Sequence, residues 1–278
     1  MKQTVTNILE TSGSARSFDQ LDLGSGRTVI LWENSGGRIN YVRPHGHTFS
    51  FYLEGGTGVR RLDIGGATGH PGAVCVMPAE QSSDWEITSR FKFVHFHVPD
   101  AILRASYAHI HDRDARRLEV RESTFAHHPE IATPMFQMAQ AAIQGDRLAA
   151  EVALSTLIAQ LPEGKIIVNG GLSPQQLRRT DEWISANLSG PVLLADLASQ
   201  AGLSEFHFQR MFTLSRGISP HKWVMSKRVN LAKSELRGSQ TIAQIASSCG
   251  FSCQSHLTRA FKAEVGTTPA RYRADVMK

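Results

Sequence analysis

The chain carries CGFSCQSHLTRAF at residues 249–261 and AGLSEFHFQRMF at residues 201–212. Each stretch opens on a small residue, Gly, an apolar residue and Ser, and each closes on Arg-X-Phe. The match extends upstream. With Leu194 set over Ile242, LADLASQAGLS lies over IAQIASSCGFS. Leu194, Leu197, Ala198 and Ala201 then match Ile242, Ile245, Ala246 and Cys249, and offsets of three, four and seven put them on one helical face. Ala198 and Ala246 are small where two helices would cross closely. Gly202 and Gly250 stand where the turn requires positive φ, and Leu203 and Phe251 cover it. Ser204 and Ser252 are placed to cap the next helix. Thr241 and Gln244 read as a capping box at the start of the second copy. Each copy therefore reads as helix, tight turn, helix. The copies stay in step to Phe212 and Phe261, with one extra residue in the second.

The pattern continues outward. Ser219 and Thr268 are caps, with Pro220 and Pro269 at the first helical positions. PHKWVMSKRVNLAKSELRG (220–238) predicts one long helix joining the copies, with Trp223, Val224, Val229, Leu231, Ala232 and Leu236 towards the core. SPQQLRRTDEWISANL (173–188) opens another helix with Ser173 as cap and Pro174 behind it. Two copies are too few for a solenoid. Charge separates this half from the rest. Residues 173–278 hold 14 Lys and Arg against 7 Asp and Glu, whereas residues 1–172 hold 16 against 18. A basic domain beside a near-neutral one points to nucleic acid.

Residues 173–278 resemble the DNA-binding domain of the AraC/XylS family of bacterial transcription regulators. The resemblance rests on LADLASQAGLS, FQRMF, GISP, KRVNLAKSEL, IAQIASSCGFSCQSHLTRAFK and VGTTPARYR. It implies two helix-turn-helix units in one chain, each sending its second helix into the major groove, about one helical turn (~34–36 Å) apart. The outward face of the first recognition helix offers Glu205, Phe206, Gln209 and Arg210. His207 and Phe208 share its remaining directions. The second offers Gln254, Ser255, Thr258 and Arg259, with Cys253 beside them and His256 near the edge. Gln makes paired hydrogen bonds to adenine and Arg to guanine. By resemblance, all of these eight except Glu205 fall on the family's base-contact positions. Phosphate contact is the alternative for the two Arg, and core packing the alternative for Phe206. Promoter duplex DNA is the expected partner, with RNA polymerase added if the protein activates.

The first hundred residues read as β: RTVILW (27–32), GGRINYV (36–42), TFSFYL (48–53), VRRLDI (59–64), AVCVM (73–77) and FKFVHFHV (91–98), punctuated by Gly-rich turns. Helical patterns follow at 128–144 and 146–161. The expected architecture is an α+β multidomain chain. It comprises a cupin-like β-barrel with appended helices at 1–161, a linker at 162–172 whose IIV core could dock, and an all-α reader at 173–278. In the family the front half is often a cupin-like barrel holding a small effector, and RPHGHTFSFYLEGG and GHPGAVCVMPAE are loosely similar to it. His45, His47, Phe49, Phe51 and Leu53 alternate onto one face, expected to line the interior. Arg43, His45, His47, Arg60 and Trp85 are the lining candidates, and paired Arg would favour an acidic effector. The helices within 100–161 are expected to pair two chains as a homodimer.

Two rival readings stand beside this one. His45 and His47, with Glu54 or His95 and His97, could begin a metal site, which would make the front half a metal-cupin enzyme. Against that, Glu54 lies too far along the strand, and Ser83 falls near where the cupin pattern needs a His. No metal or other cofactor is therefore expected, and no nucleophile triad, phosphate loop or carboxylate pair marks an enzyme. The other rival is an architectural DNA binder that needs no ligand. Three Cys make no disulfide framework, which suits a reducing cytoplasm. The N-terminus has no signal core and no apolar run spans a membrane, so a soluble cytoplasmic protein working on the nucleoid is expected.

Overall fold

The computed structural model describes residues 3–164 and 169–277. The IIV run of the linker lies outside the described residues. The chain divides into two compact units, one of Met1–Leu103 with Glu119–Pro162 and one of Arg104–Leu118 with Glu163–Lys278.

The first unit begins with α1 (Val5–Thr11), closed by a Thr4–Asn7 capping box. Strands follow: β1 (Ala15–Gly24), β2 (Arg27–Asn34), β3 (Gly37–Tyr41), β4 (His47–Glu54), β5 (Val59–Arg61), β6 (Val74–Met77), β7 (Ser83–Ile87), β8 (Phe91–Val98) and, later, β9 (Ser123–Ala126). They form two antiparallel sheets, ordered β1-β2-β8-β4-β6-β9 and β3-β7-β5. Neither sheet closes, so the barrel expected from the sequence is two open sheets here. Register places Phe93 between Trp32 and Tyr52, and His95 between Ile30 and Ser50. These residues share the face that meets Ile39, Tyr41, Trp85 and Ile87 of the smaller sheet in one aromatic core. The opposite face carries Leu31, Val94, Phe49 and Phe51. It lies under α3 (Pro129–Gln144), whose Phe136 ring meets Phe51, and α3 pairs with α4 (Arg147–Ala159). Both faces of the larger sheet are covered, so β2 and β8 read as nearly unbroken apolar runs.

This corrects the face assignment for β4. His47, Phe49 and Phe51 do not line the inter-sheet space; Ser50 and Tyr52 do. Alternation gives the parity of a strand but not which covered face is the inner one.

The second unit contains the end of α2 (Asp100–His111), a short 3-10 turn at Ala115–Arg117, and seven helices: α5 (Pro174–Ala186), α6 (Leu194–Ala201), α7 (Glu205–Arg216), α8 (Pro220–Glu235), α9 (Ile242–Ser248), α10 (Gln254–Val265) and α11 (Pro269–Val276). Local chemistry accounts for their ends. Ser173 and Thr241 form capping boxes with Gln176 and Gln244, while Ser219 and Thr268 cap helices that start with Pro220 and Pro269. The unit holds two hydrophobic cores. Leu197, Ala198, Phe208 and Phe212 belong to one; Ile245, Ala246, Leu257 and Phe261 belong to the other. Helix α8 enters both, with Trp223 and Val224 in the first and Val229, Ala232 and Leu236 in the second. Leu231, expected in the core, is only half-buried.

The two tight turns have different surroundings. Gly202 (φ +67°) would meet nothing within 4 Å if it carried a Cβ. At Gly250 (φ +78°) that Cβ would lie 2.1 Å from the Leu188 carbonyl oxygen and 2.9 Å from Arg228 Nε. Arg228 itself donates to the carbonyls of Leu188 (3.0 Å) and Gly190 (2.6 Å). The second turn is therefore wedged against the end of the α5 segment, and α8 supplies the cation that holds it there.

No helix among the described residues is long and apolar enough to cross a membrane. Burial lowers the pKa of His95 to about 3 and of His97 to about 4, so both are neutral when folded.

Two outcomes follow in thermal and chemical denaturation. Gly202→Ala costs about 1–2 kcal/mol, the left-handed penalty alone. Gly250→Ala costs more, because backbone as well as φ stands in the way; equal losses would contradict the wedge. Separately, the depressed histidines contribute stability that is full above about pH 6.5, their unfolded value. It is lost as the pH falls towards about 4 and then about 3. His95→Gln should flatten that acid limb.

Candidate nucleic-acid interface

The α6–α7 and α9–α10 pairs are the two helix-turn-helix units. Leu197, Ala198 and Ala201 bury one face of α6, and Ile245 and Ala246, continued by Cys249, bury the matching face of α9. Gly202 and Gly250 make the left-handed turns. Ser204 caps α7 by accepting the His207 N–H. The second copy departs from expectation. Its N-cap is Cys253, with no side-chain capping bond, while Ser252 Oγ lies 3.1 Å from His256 Nδ1. The extra residue of the second copy thus sits between the turn and the recognition helix, and Cys253 takes the place that Ser204 holds in the first. Cys253 is exposed, and the backbone N–H groups of His256 and Ser255 pull its thiol below the usual range.

Counted from the caps, the two recognition helices align residue by residue. Glu205, Phe206, Gln209 and Arg210 occupy the first, second, fifth and sixth positions of α7. Gln254, Ser255, Thr258 and Arg259 occupy the same positions of α10. Between them Phe208 and Leu257 are fully buried, and Phe212 and Phe261 anchor the far side. Thr258 is half-buried and the other seven are exposed. Phe206 is 80% exposed and does not pack in the core. Neither Arg210 nor Arg259 is held by a hydrogen bond or ion pair among the described residues. Arg228 and Arg273, by contrast, are pinned on carbonyl oxygens. Each recognition helix therefore presents one guanidinium with its donors available, beside amide or hydroxyl groups that both donate and accept. Sequence reasoning missed the cap at Cys253 and the Arg228 anchor. Alignment on the turn hides the first, and nothing local to Arg228 announces carbonyls forty residues upstream.

The effector candidates are dispersed. Trp85 lines the space between the sheets. Arg43 and His45 are exposed near Glu80, and Arg60 pairs with Glu86 at the surface. His47 is buried away from that space, its Nε2 2.9 Å from Asp100 and its Nδ1 accepting from the Ala79 N–H at 3.0 Å. The inter-sheet cavity measures about 30 Å³, roughly the liquid volume of one water. Asn34 Nδ2 and His95 Nδ1, on residues that line it, are buried without hydrogen-bond partners among the described residues.

Residues 197–275 match the family model of a helix-turn-helix domain. The probable transcriptional regulator LumQ of Photobacterium leiognathi is 37% identical over 94 residues, 34% of this chain and 38% of that protein. The multiple antibiotic resistance protein MarA of Escherichia coli K12 is 33% identical over 98 residues, 35% of this chain and 77% of that protein. Among solved structures, the DNA-binding domain of AdpA, a global transcriptional factor in complex with a target DNA, is similar at 29% identity. That likeness covers 36% of this chain and 91% of the other, with a TM-score of 0.35. Thus this chain spans well under half of LumQ, while its paired helix-turn-helix half accounts for most of MarA. With the two units in place and the match to MarA covering most of that protein, the chain belongs to the AraC/XylS family of helix-turn-helix transcriptional regulators.

Proposed function

We propose that this chain binds promoter duplex DNA sequence-specifically and reads two unlike half-sites with α7 and α10. The observation that carries this reading is the coincidence of four equivalent positions on both helices. They are outward-facing on both, they end on an unengaged Arg, and otherwise they differ in chemistry. In the proposed complex Arg210 and Arg259 pair with guanine, and Gln209 and Gln254 pair with adenine. Glu205 accepts from a cytosine amine, Phe206 covers a thymine methyl, and Ser255 and Thr258 adapt to neighbouring edges. In this reading residues 173–278 form the reader, 162–172 the linker and 1–161 a cupin-like sensor. The protein acts by binding, without catalysis, in the cytoplasm and on the nucleoid. As an activator it would also meet RNA polymerase. The metal-cupin alternative would need His45 and His47 to converge, yet one is exposed and the other is engaged by Asp100 and Ala79.

A small effector acting through the β unit is part of the proposal. It is supported by the unpartnered Asn34 and His95 atoms between the sheets, beside Trp85. Because His95 is held neutral by burial, an uncharged polar ligand suits this site better than an acidic one. The present space is far below the roughly 300 Å³ of a typical ligand pocket, so such binding requires the sheets to part. Homodimerisation is the other part. The exposed positions of α3 and α4 include Phe136, Ile143, Leu148 and Val152. Their exposed neighbours Thr133, Gln137, Gln140, Ala149, Ser155 and Thr156 carry no charge, the composition of an interface core.

On a duplex enriched by the wild-type chain, Arg210→Ala and Arg259→Ala should each cost about 1–3 kcal/mol of specific binding, with relaxed preference at one base position each. Affinity should also fall steeply with salt. Wild-type affinity in both variants at matched salt would overturn the base-reading roles. In sedimentation, the wild type should be a dimer and Val152→Asp with Ile143→Asp a monomer. A monomeric wild type at high concentration would rule out the α3–α4 interface.

A further inference from the structure

Arg216, the last residue of the first recognition helix, is a charged side chain only 1% exposed. Its Nη2 is bonded to Asp181 of α5 and lies 3.4 Å from Asp112, and its Nη1 donates to the Ala108 carbonyl at 3.3 Å. The guanidinium lies 4.7 Å from the centre of the Trp223 ring of α8. That indole in turn donates to Asp181 at 2.8 Å and meets the His109 ring edge-on at 5.7 Å. One planar cation thus joins α7, α5, α8 and the segment around 108–112, which lies about a hundred residues upstream.

Other contacts draw the same upstream segment to the same helix end. Arg116 donates to the carbonyls of Asn169 and Gly170, both at 2.8 Å. The next residues of that segment, Gly171 and Leu172, donate their N–H groups to Met211 Sδ and Ser215 Oγ of α7. Ala105 lies in the first core itself.

The repeat supplies an internal control. Counted from the caps, the residue at the Arg216 position of α10 is Val265, buried in the second core. Both helices then end on a left-handed glycine at the same φ of +78°, Gly217 and Gly266. The apolar side chain of a buried valine packs without directional bonds. A buried guanidinium has its donors in a fixed fork, and moving it leaves charge unpaired at high cost. The two readers are therefore fixed differently: the second turn is wedged against the Leu188 carbonyl, and among the described residues Arg216 ties the end of the first recognition helix to the Arg104–Leu118 segment.

Resting on the DNA-reading proposal above, the geometry points to Arg216 as a positioning residue. Through Asp112 and Ala108, it makes the lie of the first recognition helix depend on the Arg104–Leu118 segment, while the second reader is independent of it. A change transmitted along α2 would then retune one half-site and leave the other as it was. Asp112 suits this role physically. It follows α2 in a left-handed conformation (φ +48°), which Asp and Asn tolerate best among residues with a Cβ. Its carboxylate is largely exposed, so the ion pair can be altered without opening a core.

The test uses full-length Asp112→Asn, which keeps the left-handed turn and removes the charge, and Arg216→Lys, which keeps the charge and removes the fork. Both are measured on the duplex that the wild type enriches from a random library. Two derivatives of that duplex are scrambled either in the half-site lost in Arg210→Ala or in the half-site lost in Arg259→Ala. Asp112→Asn should weaken binding about two- to fivefold on the intact duplex and on the one scrambled in the α10 half-site. It should have no effect where the α7 half-site is scrambled, and Arg216→Lys should show the same pattern more strongly. Equal losses on both scrambled duplexes would mean general destabilisation and would overturn the inference, as would wild-type affinity of Asp112→Asn throughout. A wild-type chain that enriches no sequence would overturn the DNA-reading proposal itself, and this inference with it.

Discussion

Helix α8 is shared by two hydrophobic cores, and the geometry of the reader depends on that sharing. Its first turns place Trp223 and Val224 among the residues of the first helix-turn-helix; its later turns place Val229, Ala232 and Leu236 among those of the second. A helix committed to two cores cannot slide or rotate without disrupting one of them. Arg228, midway along it, adds bonds to the Leu188 and Gly190 carbonyls, and Gly250 packs where no side chain fits. The separation of α7 and α10 is thus a property of one rigid element with its braces. That is what two recognition helices need if they are to meet successive turns of one duplex face.

Within this frame the two readers are alike in construction and unlike in chemistry. Small residues at the helix crossings, a left-handed glycine and buried aromatic or leucine anchors recur in both. The first reader then has a serine cap, an exposed phenylalanine and a buried ionic cluster at its far end. The second has an uncapped cysteine, small hydroxyl residues and a valine. The inserted residue ahead of Cys253 brings the exposed positions of α10 back into phase with those of α7. The difference between the copies lies in what faces outward and in how each helix is tethered, and these are the properties that would let one monomer recognise an asymmetric site.

Much of the helical half was legible because its signals are local. Ser173, Ser219, Thr241 and Thr268 announce helix starts through bonds made three residues away, and glycine at a left-handed turn has few substitutes. The second recognition-helix cap was misplaced because Ser252 aligns with Ser204 on the turn, whereas the helix starts one residue later. The β half was less legible. Strand β1, ARSFDQLDLG, is a polar edge strand, and β7, SDWEI, is too short to stand out. In β4, the Phe49–Phe51 face looked like the interior because it is the more apolar. It is covered by α3, while Ser50 and Tyr52 look inward. Long-range pairings such as Arg216 with Asp112, or Arg228 with Leu188, carry no signature at either end, since an arginine reads the same exposed or buried.

The central claim is that one chain reads two unlike half-sites about one helical turn apart. It is tested most directly by base-by-base interference mapping of the full-length protein on the duplex it enriches from a random library. Within each monomer's site the account predicts two clusters of essential bases, different in sequence, centred about 10–10.5 base pairs apart on one face of the DNA. A single cluster, or two clusters that repeat or mirror the same sequence within one monomer's site, would contradict it.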